Sequence, residues 1–212
     1  MKTSQLIDAL AADPKPQGLS LGARFCLALG LGALASVCLF LAIAGPRADI
    51  ATAAHTLRFD LKFVDTLALA LPSALLALRL LRPDARPGAL VLAFLAPFLL
   101  LGAAVVAELT LVPADLWGAK LIGTNAVHCL AIIPLLSIAP LAALLFAMRE
   151  GAPQNPGVAG ALAGAVAAGI AATLYASNCP DDSPLFVASW YPLATLIVVA
   201  VGAAAGVRLL RW

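Results

Sequence analysis

Six apolar stretches take up most of this 212-residue chain, and each is long enough to cross a bilayer. A crossing needs about 20 helical residues at a rise of about 1.5 Å each. A chain built this way is not a water-soluble monomer, and it has no room for a globular catalytic domain. Composition agrees: 63% of residues are hydrophobic, 11% are charged and the mean hydropathy is +1.02, whereas a soluble domain carries about 25% charged residues. The expected fold is therefore all-α, a single membrane bundle of six transmembrane helices spanning 25–45, 63–81, 89–107, 126–148, 158–177 and 185–207. The first stretch follows some two dozen residues that include Asp8, Asp13 and the Pro14-Lys15-Pro16 break. It reads as a spanning helix rather than a cleaved signal.

Charge sets the orientation, because cytoplasmic loops carry the excess of Lys and Arg. With the N-terminus inside, Lys2, Lys15, Arg24, Arg79, Arg82, Arg86, Arg149, Arg208 and Arg211 fall inside, and Arg47, Arg58, Lys62 and Lys120 fall outside. Both termini are then cytoplasmic, with Arg208, Arg211 and Trp212 as an interfacial anchor. The formal net charge of +2 is small and its basic residues are scattered, so no direct nucleic-acid partner is expected.

Most intramembrane features read as packing. Gly160 with Gly164, and Gly202 with Gly206, are small-xxx-small pairs that let helices approach closely. Pro72, Pro97, Pro134, Pro140 and Pro192 bend their helices and free carbonyls. No ionisable residue falls near the middle of a span, which argues against an ion or proton path. Asp65, Arg79, Glu108 and Arg208 lie near span ends and are expected to snorkel to water, while Trp117, Trp190 and Tyr191 fall where an aromatic belt would anchor them. Cys26 and Cys38 are twelve residues apart on one helix, about 18 Å of rise and beyond disulfide reach, and read as packing residues.

Cys129 and Cys179 differ, because both fall on the outer side, where disulfides are permitted. The short inner turn between the fourth and fifth spans makes those helices antiparallel neighbours and brings their outer ends together. Three readings of the pair stay open: a structural disulfide or inert thiols, a redox-responsive pair, and a copper or zinc site formed by His128, Cys129, Cys179 and Asp181, with Asp182 adjoining. His55 is also on the outer side. On the inner side, residues 1–13 place Leu6, Ile7 and Leu10 on one helical face, with Thr3 or Ser4 as a cap and Pro14 and Pro16 as a stop. So short a helix is marginal alone, and Asp8 and Asp13 weaken any attraction to anionic lipid. Docking into a groove of a cytosolic protein fits it better.

The opening MKTSQLIDALAAD, the stretch GPRADIATAAHTLRFDLKFVDTLALAL, the PDARPG turn, NAVHCL, MREGAP and the final VRLLRW, in this order, resemble the NrsF-like family of bacterial membrane anti-sigma factors. The resemblance covers essentially the whole chain. It implies a multi-pass protein of the bacterial inner membrane, with residues 1–24 as a cytoplasmic sigma-binding segment and 25–212 as a six-helix domain with periplasmic sensing loops. The implied partners are an extracytoplasmic-function (ECF) sigma factor and membrane lipid. The sigma contact would involve Leu6, Ile7, Asp8 and Leu10, and Cys129 with Cys179 would sense oxidant or metal stress. No resident cofactor is implied, copper or zinc entering only as a signal, and the sequence leaves the oligomeric state open. Moving a sigma factor from 99:1 bound to 1:99 takes about 5.5 kcal/mol. One disulfide contributes about 2 to 4 kcal/mol, so such a switch is partial or draws on repacking.

Two other functional classes fit the residues less well. A thiol/quinone oxidoreductase would need an activated CxxC-type pair, and none is present. A small transporter would need a polar route through the helices. With no nucleophile triad, phosphate loop or dinucleotide fingerprint, the chain is not expected to be an enzyme.

Overall fold

A computed structural model describes Thr3, Gln5 and residues 18–211. Among the described residues there is no strand, and six helical segments are long and apolar enough to cross a membrane. Helix α1 covers Leu21–Ile43, the short α2 Ile50–Ala53 and α3 Leu57–Leu80. A 3-10 segment, Gly88–Phe94, leads into α4, Leu95–Leu111. Then come the short α5 at Trp117–Ile122, α6 at Ala126–Met148, α7 at Pro156–Ala176 and α8 at Pro184–Leu209.

Local chemistry accounts for most boundaries. Ser20 accepts from the Ala23 N–H at 3.2 Å to start α1, and Asn155 accepts from the Val158 N–H at 3.1 Å to start α7. Pro156 and Pro184 open α7 and α8, where a missing N–H costs nothing. Pro97 falls in the first turn of α4 for the same reason. The fourth span begins and ends as the sequence predicts. The second does not: α3 starts at Leu57 rather than at residue 63, which draws Lys62 into the helix.

Each of the six long helices reverses the chain, and contacts at the two ends of the bundle confirm the alternation. At one end, the Arg47 N–H donates to the Ser177 carbonyl at 3.0 Å, Asn178 Nδ2 donates to the Gly45 carbonyl at 2.8 Å, and the Thr124 N–H donates to Asp181 at 2.9 Å. At the other end Arg24 pairs with Glu150, the Ala152 N–H donates to the Leu81 carbonyl at 2.8 Å, and Leu210 is buried with Leu81 and Met148. The start of α1 and the end of α8 therefore share one end.

Helix α7 is the centre of the bundle. Its Ala163, Ala167, Ala168, Ala171 and Ala176 are fully buried, and its small side chains let neighbours approach to backbone contact. A Cβ added at Gly160 would lie 2.8 Å from the Gly206 Cα of α8, and one at Gly169 would lie 2.6 Å from the Ala70 Cβ of α3. Lipid supplies little hydrophobic drive between helices, so this close van der Waals fit is the main source of cohesion. Helices α1 and α6 use a related device. Pro140 has no N–H for the Leu136 carbonyl one turn back, and Ser36 Oγ donates to that carbonyl at 2.9 Å instead.

Several expectations are corrected. Glu108 and Asp65 do not reach water: they are 2% and 9% exposed, because neighbouring helices cover the side of each that would have snorkelled. Tyr191 is buried in the core rather than placed at an interface. Cys26 and Cys38 are exposed on the outer face of α1 instead of packing within the bundle.

Candidate functional site

The end of the bundle that carries the α7–α8 loop holds a closely packed apolar cluster. Cys129, in the first turn of α6, and Cys179, in the loop, are both fully buried, and both belong to a cluster with Tyr175, Phe186, Tyr191 and Phe40. Both are free thiols. The loop is held over this cluster because three connections converge on it.

Asp181 makes the first connection. Its carboxylate accepts from the backbone N–H groups of Thr124 and Asn125, each at 2.9 Å, and from Asn125 Nδ2 at 3.1 Å. A carboxylate at the N-terminus of α6 satisfies orphan donors and opposes the positive end of the helix dipole. Gly123 permits the approach, with φ +60 and no room for a Cβ, which would stand 2.9 Å from Asp181 Cγ.

Asp182 makes the second. It accepts from Lys62 Nζ at 2.5 Å and from Arg47 Nη1 at 2.8 Å. Lys62 Nζ also donates to the Cys179 carbonyl at 2.9 Å and stands 5.3 Å from the Phe59 ring centroid. The Lys62 side chain is 0% exposed, so these partners compensate it for leaving water. Arg47 is shared with Asp49, 2.6 Å away. Asp49, helped by Asp182 against burial, holds the Arg47 pKa above its ordinary value, and the Arg47 hydrogen bond holds Asp49 below the usual carboxylate range.

Glu108 of α4 makes the third connection, at the rim. It pairs with Arg58 at 2.5 Å and, more loosely, with Lys120 at 3.9 Å, and it accepts from Ser183 Oγ at 3.2 Å. The α7–α8 loop is thus tied to α3, α4 and α6 by charged groups that cover the cysteines.

Burial pushes the Cys179 thiol above its ordinary value of 9.0, with Lys62 partly opposing. A protonated, covered thiol is a poor nucleophile. Alkylation of Cys179 by N-ethylmaleimide at pH 8 should therefore run at least about tenfold slower in the folded protein than in the unfolded chain. The stabilisation from burying this neutral thiol is complete below pH 9 and is lost as pH rises through the higher folded value, so protection should erode in that window. Mass spectrometry of timed aliquots gives both rates, and equal rates would mean that the loop is open.

The other site residues fall differently. His128 is exposed on α6 while its neighbour Cys129 is buried, and the Asp181 carboxylate is engaged with α6. Among the described residues no group of three or more His, Cys, Asp or Glu side chains could hold a metal ion. Leu6, Ile7, Asp8 and Leu10 lie outside the described residues, as does Trp212. Sequence reasoning missed Arg47, Lys62 and Glu108 as parts of the site. The available signal was two cations facing the Asp181-Asp182 pair on one side of the membrane.

A family profile described as NrsF, negative regulator of sigma F, matches residues 10–212. The probable anti-sigma-F factor NrsF of Azospira oryzae is 35% identical over 215 aligned residues, with both chains covered in full. The anti-sigma-F factor NrsF of Caulobacter vibrioides is 36% identical over 224, again with both covered in full. No solved structure matches the chain. A match that spans all six membrane helices, with both relatives covered in full, is a likeness of the whole molecule, and on that ground the chain belongs to the NrsF family of negative regulators of sigma F.

Proposed function

We propose that this chain is an inner-membrane anti-sigma factor that holds an extracytoplasmic-function sigma factor through residues 1–24 and lets it go when Cys129 and Cys179 meet an oxidant or a thiophilic metal. The observation that carries the reading is the full-length match to negative regulators of a sigma factor. The regulatory character of that family favours a non-catalytic role.

Orientation follows from charge. Among the described residues, the end shared by the start of α1 and the end of α8 carries seven of the eleven Lys and Arg side chains, which favours a cytoplasmic placement for it and a periplasmic one for the cysteine cluster. On this reading Leu6, Ile7, Asp8 and Leu10 supply the contact to the cytosolic partner. The buried thiols suit a sensor that is silent at rest. A signal reaches them only when the ionic cover opens, and linking or metallating two thiols on α6 and the α7–α8 loop would bias the packing of α6, α7 and α8. Two thiols alone suit a soft ion such as copper better than a full zinc set.

The test is co-purification of the sigma factor encoded nearest its gene with the detergent-solubilised chain. The full chain should retain it, a version lacking residues 1–13 should lose it, and Cys129→Ser with Cys179→Ser should keep capture while losing release by diamide or copper. Retention by no version would sink the anti-sigma reading. Release that persists in the serine variant would move the sensor elsewhere.

A further inference from the structure

At the end shared by the start of α1 and the end of α8, an open cleft of about 610 Å³ lies between the last turn of α3, the loop that follows it and the first turn of α1. Arg79, Arg82 and Arg86 line it, and Asp84 is the acidic residue among its walls. Three guanidinium groups therefore face one carboxylate, and two positive charges are left over. Among the described residues none of the three arginine side chains has an ion-pair or hydrogen-bond partner, whereas Arg24 at the same end pairs with Glu150. The excess of basic residues on one side of a membrane protein explains arginines at this end. It does not explain three of them gathered unpaired around one cleft.

The arginines are held in place by their backbone. The Ala85 N–H donates to the Arg82 carbonyl at 3.2 Å, Gln154 Nε2 donates to the Pro83 carbonyl, and the Arg79 guanidinium lies against Gly88, where an added Cβ would stand 3.4 Å from Nη1. The remaining walls are apolar: Leu75 of α3, and Leu21 with Gly22 of α1. A Cβ at Gly22 would meet nothing within 4 Å, so the α1 side stays open. Along α3, Leu67, Leu71, Leu75 and Arg79 follow at intervals of four and share one face. All three leucines are exposed on the outside of the bundle. They form about 12 Å of apolar helix face that ends in a guanidinium.

An occupant must satisfy both the charge and the stripe. A small free anion would neutralise the arginines but leave the stripe unused, and an acidic cytosolic peptide would not reach leucines that lie within a membrane span. A zwitterionic lipid brings an ammonium that the arginines repel. The arginine fork matches phosphate oxygens in pairs, and a basic pocket between membrane helices suits an anionic headgroup. We propose that this cleft holds the phosphodiester headgroup of an anionic phospholipid, with Arg79, Arg82 and Arg86 on the phosphate and an acyl chain along Leu75, Leu71 and Leu67. The inference stands apart from the sigma reading, since it rests on the cleft and its flank alone.

The test is native mass spectrometry of the detergent-purified full chain titrated with phosphatidylglycerol, cardiolipin or phosphatidylcholine. Saturable retention of the anionic lipids is expected, at least about tenfold tighter than of phosphatidylcholine, and weakened about fivefold by each of Arg79→Gln, Arg82→Gln and Arg86→Gln. Arg208→Gln, in the last turn of α8 at the same end but outside the cleft, should leave the affinity unchanged, and thermal unfolding confirms that all four variants fold. Cardiolipin binding more tightly than phosphatidylglycerol assigns two phosphodiesters to the cleft, and equal binding assigns one. Glycerol phosphate should not displace the lipid. Retention of phosphatidylcholine equal to that of the anionic lipids, displacement by glycerol phosphate, affinity unchanged in all three cleft variants, or an equal loss in Arg208→Gln would each overturn the proposal.

Discussion

Replacing Asp182 with alanine is expected to destabilise the folded protein by about 3 to 5 kcal/mol, the usual cost of leaving a buried charge without its partner. Two cations depend on this carboxylate: Lys62, which is fully buried, and Arg47, whose side chain is 13% exposed. The substitution leaves Lys62 Nζ, among the described residues, with the Cys179 carbonyl and the Phe59 ring. Lys62→Met should cost less than half as much, because it removes the buried charge while Asp182 keeps Arg47. Asp182→Asn, which removes no heavy atom, separates an electrostatic role from simple packing: loss of the charge should make it nearly as costly as Asp182→Ala, and packing alone would leave it close to neutral. Denaturant unfolding in detergent reads the stability. In Asp182→Ala the Cys179 alkylation rate should rise toward that of the unfolded chain, since the loop loses its tie to α3. Equal destabilisation by Asp182→Ala and Lys62→Met would sink the account.

The second large effect is expected at the crossing of α7 and α8. Gly160→Leu should abolish the monodisperse folded species in size-exclusion chromatography, and Gly160→Ala should cost about 2 to 3 kcal/mol, at the upper part of the usual overpacking range. What a side chain at Gly160 meets is backbone: the Gly202 carbonyl, then the Gly206 Cα at 2.8 Å and the Gly206 N at 3.0 Å. Backbone cannot rotate aside as a side chain does, so the helices must separate along their whole contact. Gly30→Leu is the control, because a Cβ there meets nothing within 4 Å. It replaces a poor helix former with a good one and should be neutral or mildly stabilising, by up to about 1 kcal/mol. If Gly30→Leu disrupted the protein as much as Gly160→Leu, the effect would belong to helix formation rather than to the close crossing.

The number of spans, their order and the limits of α6 were legible in the chain, because a membrane helix is specified locally by about 20 consecutive apolar residues and by the breaks that bound them. The pairing of residues by side was equally legible: once each span reverses the chain, Cys129 and Cys179 must share an end. The glycine pairs of α7 and α8 announced a close crossing for a local reason too, since spacing along a helix fixes which residues share a face. What lies on top of that frame was not legible. Lys62 reads as a loop cation, and it is a buried one because α3 extends to Leu57 and packs beside Asp182, 120 residues further along the chain. Asp65 and Glu108 read as residues that reach water, and both are covered by helices whose positions no local pattern records. Tyr191 reads as an anchor and is instead buried in the cluster that holds Cys129 and Cys179. The sequence by itself determined how often the chain crosses and which residues meet the same end. Only the tertiary structure decided which charges lose their water, because that depends on contacts between segments far apart in the chain, where the energy of packing rather than local periodicity selects the neighbour.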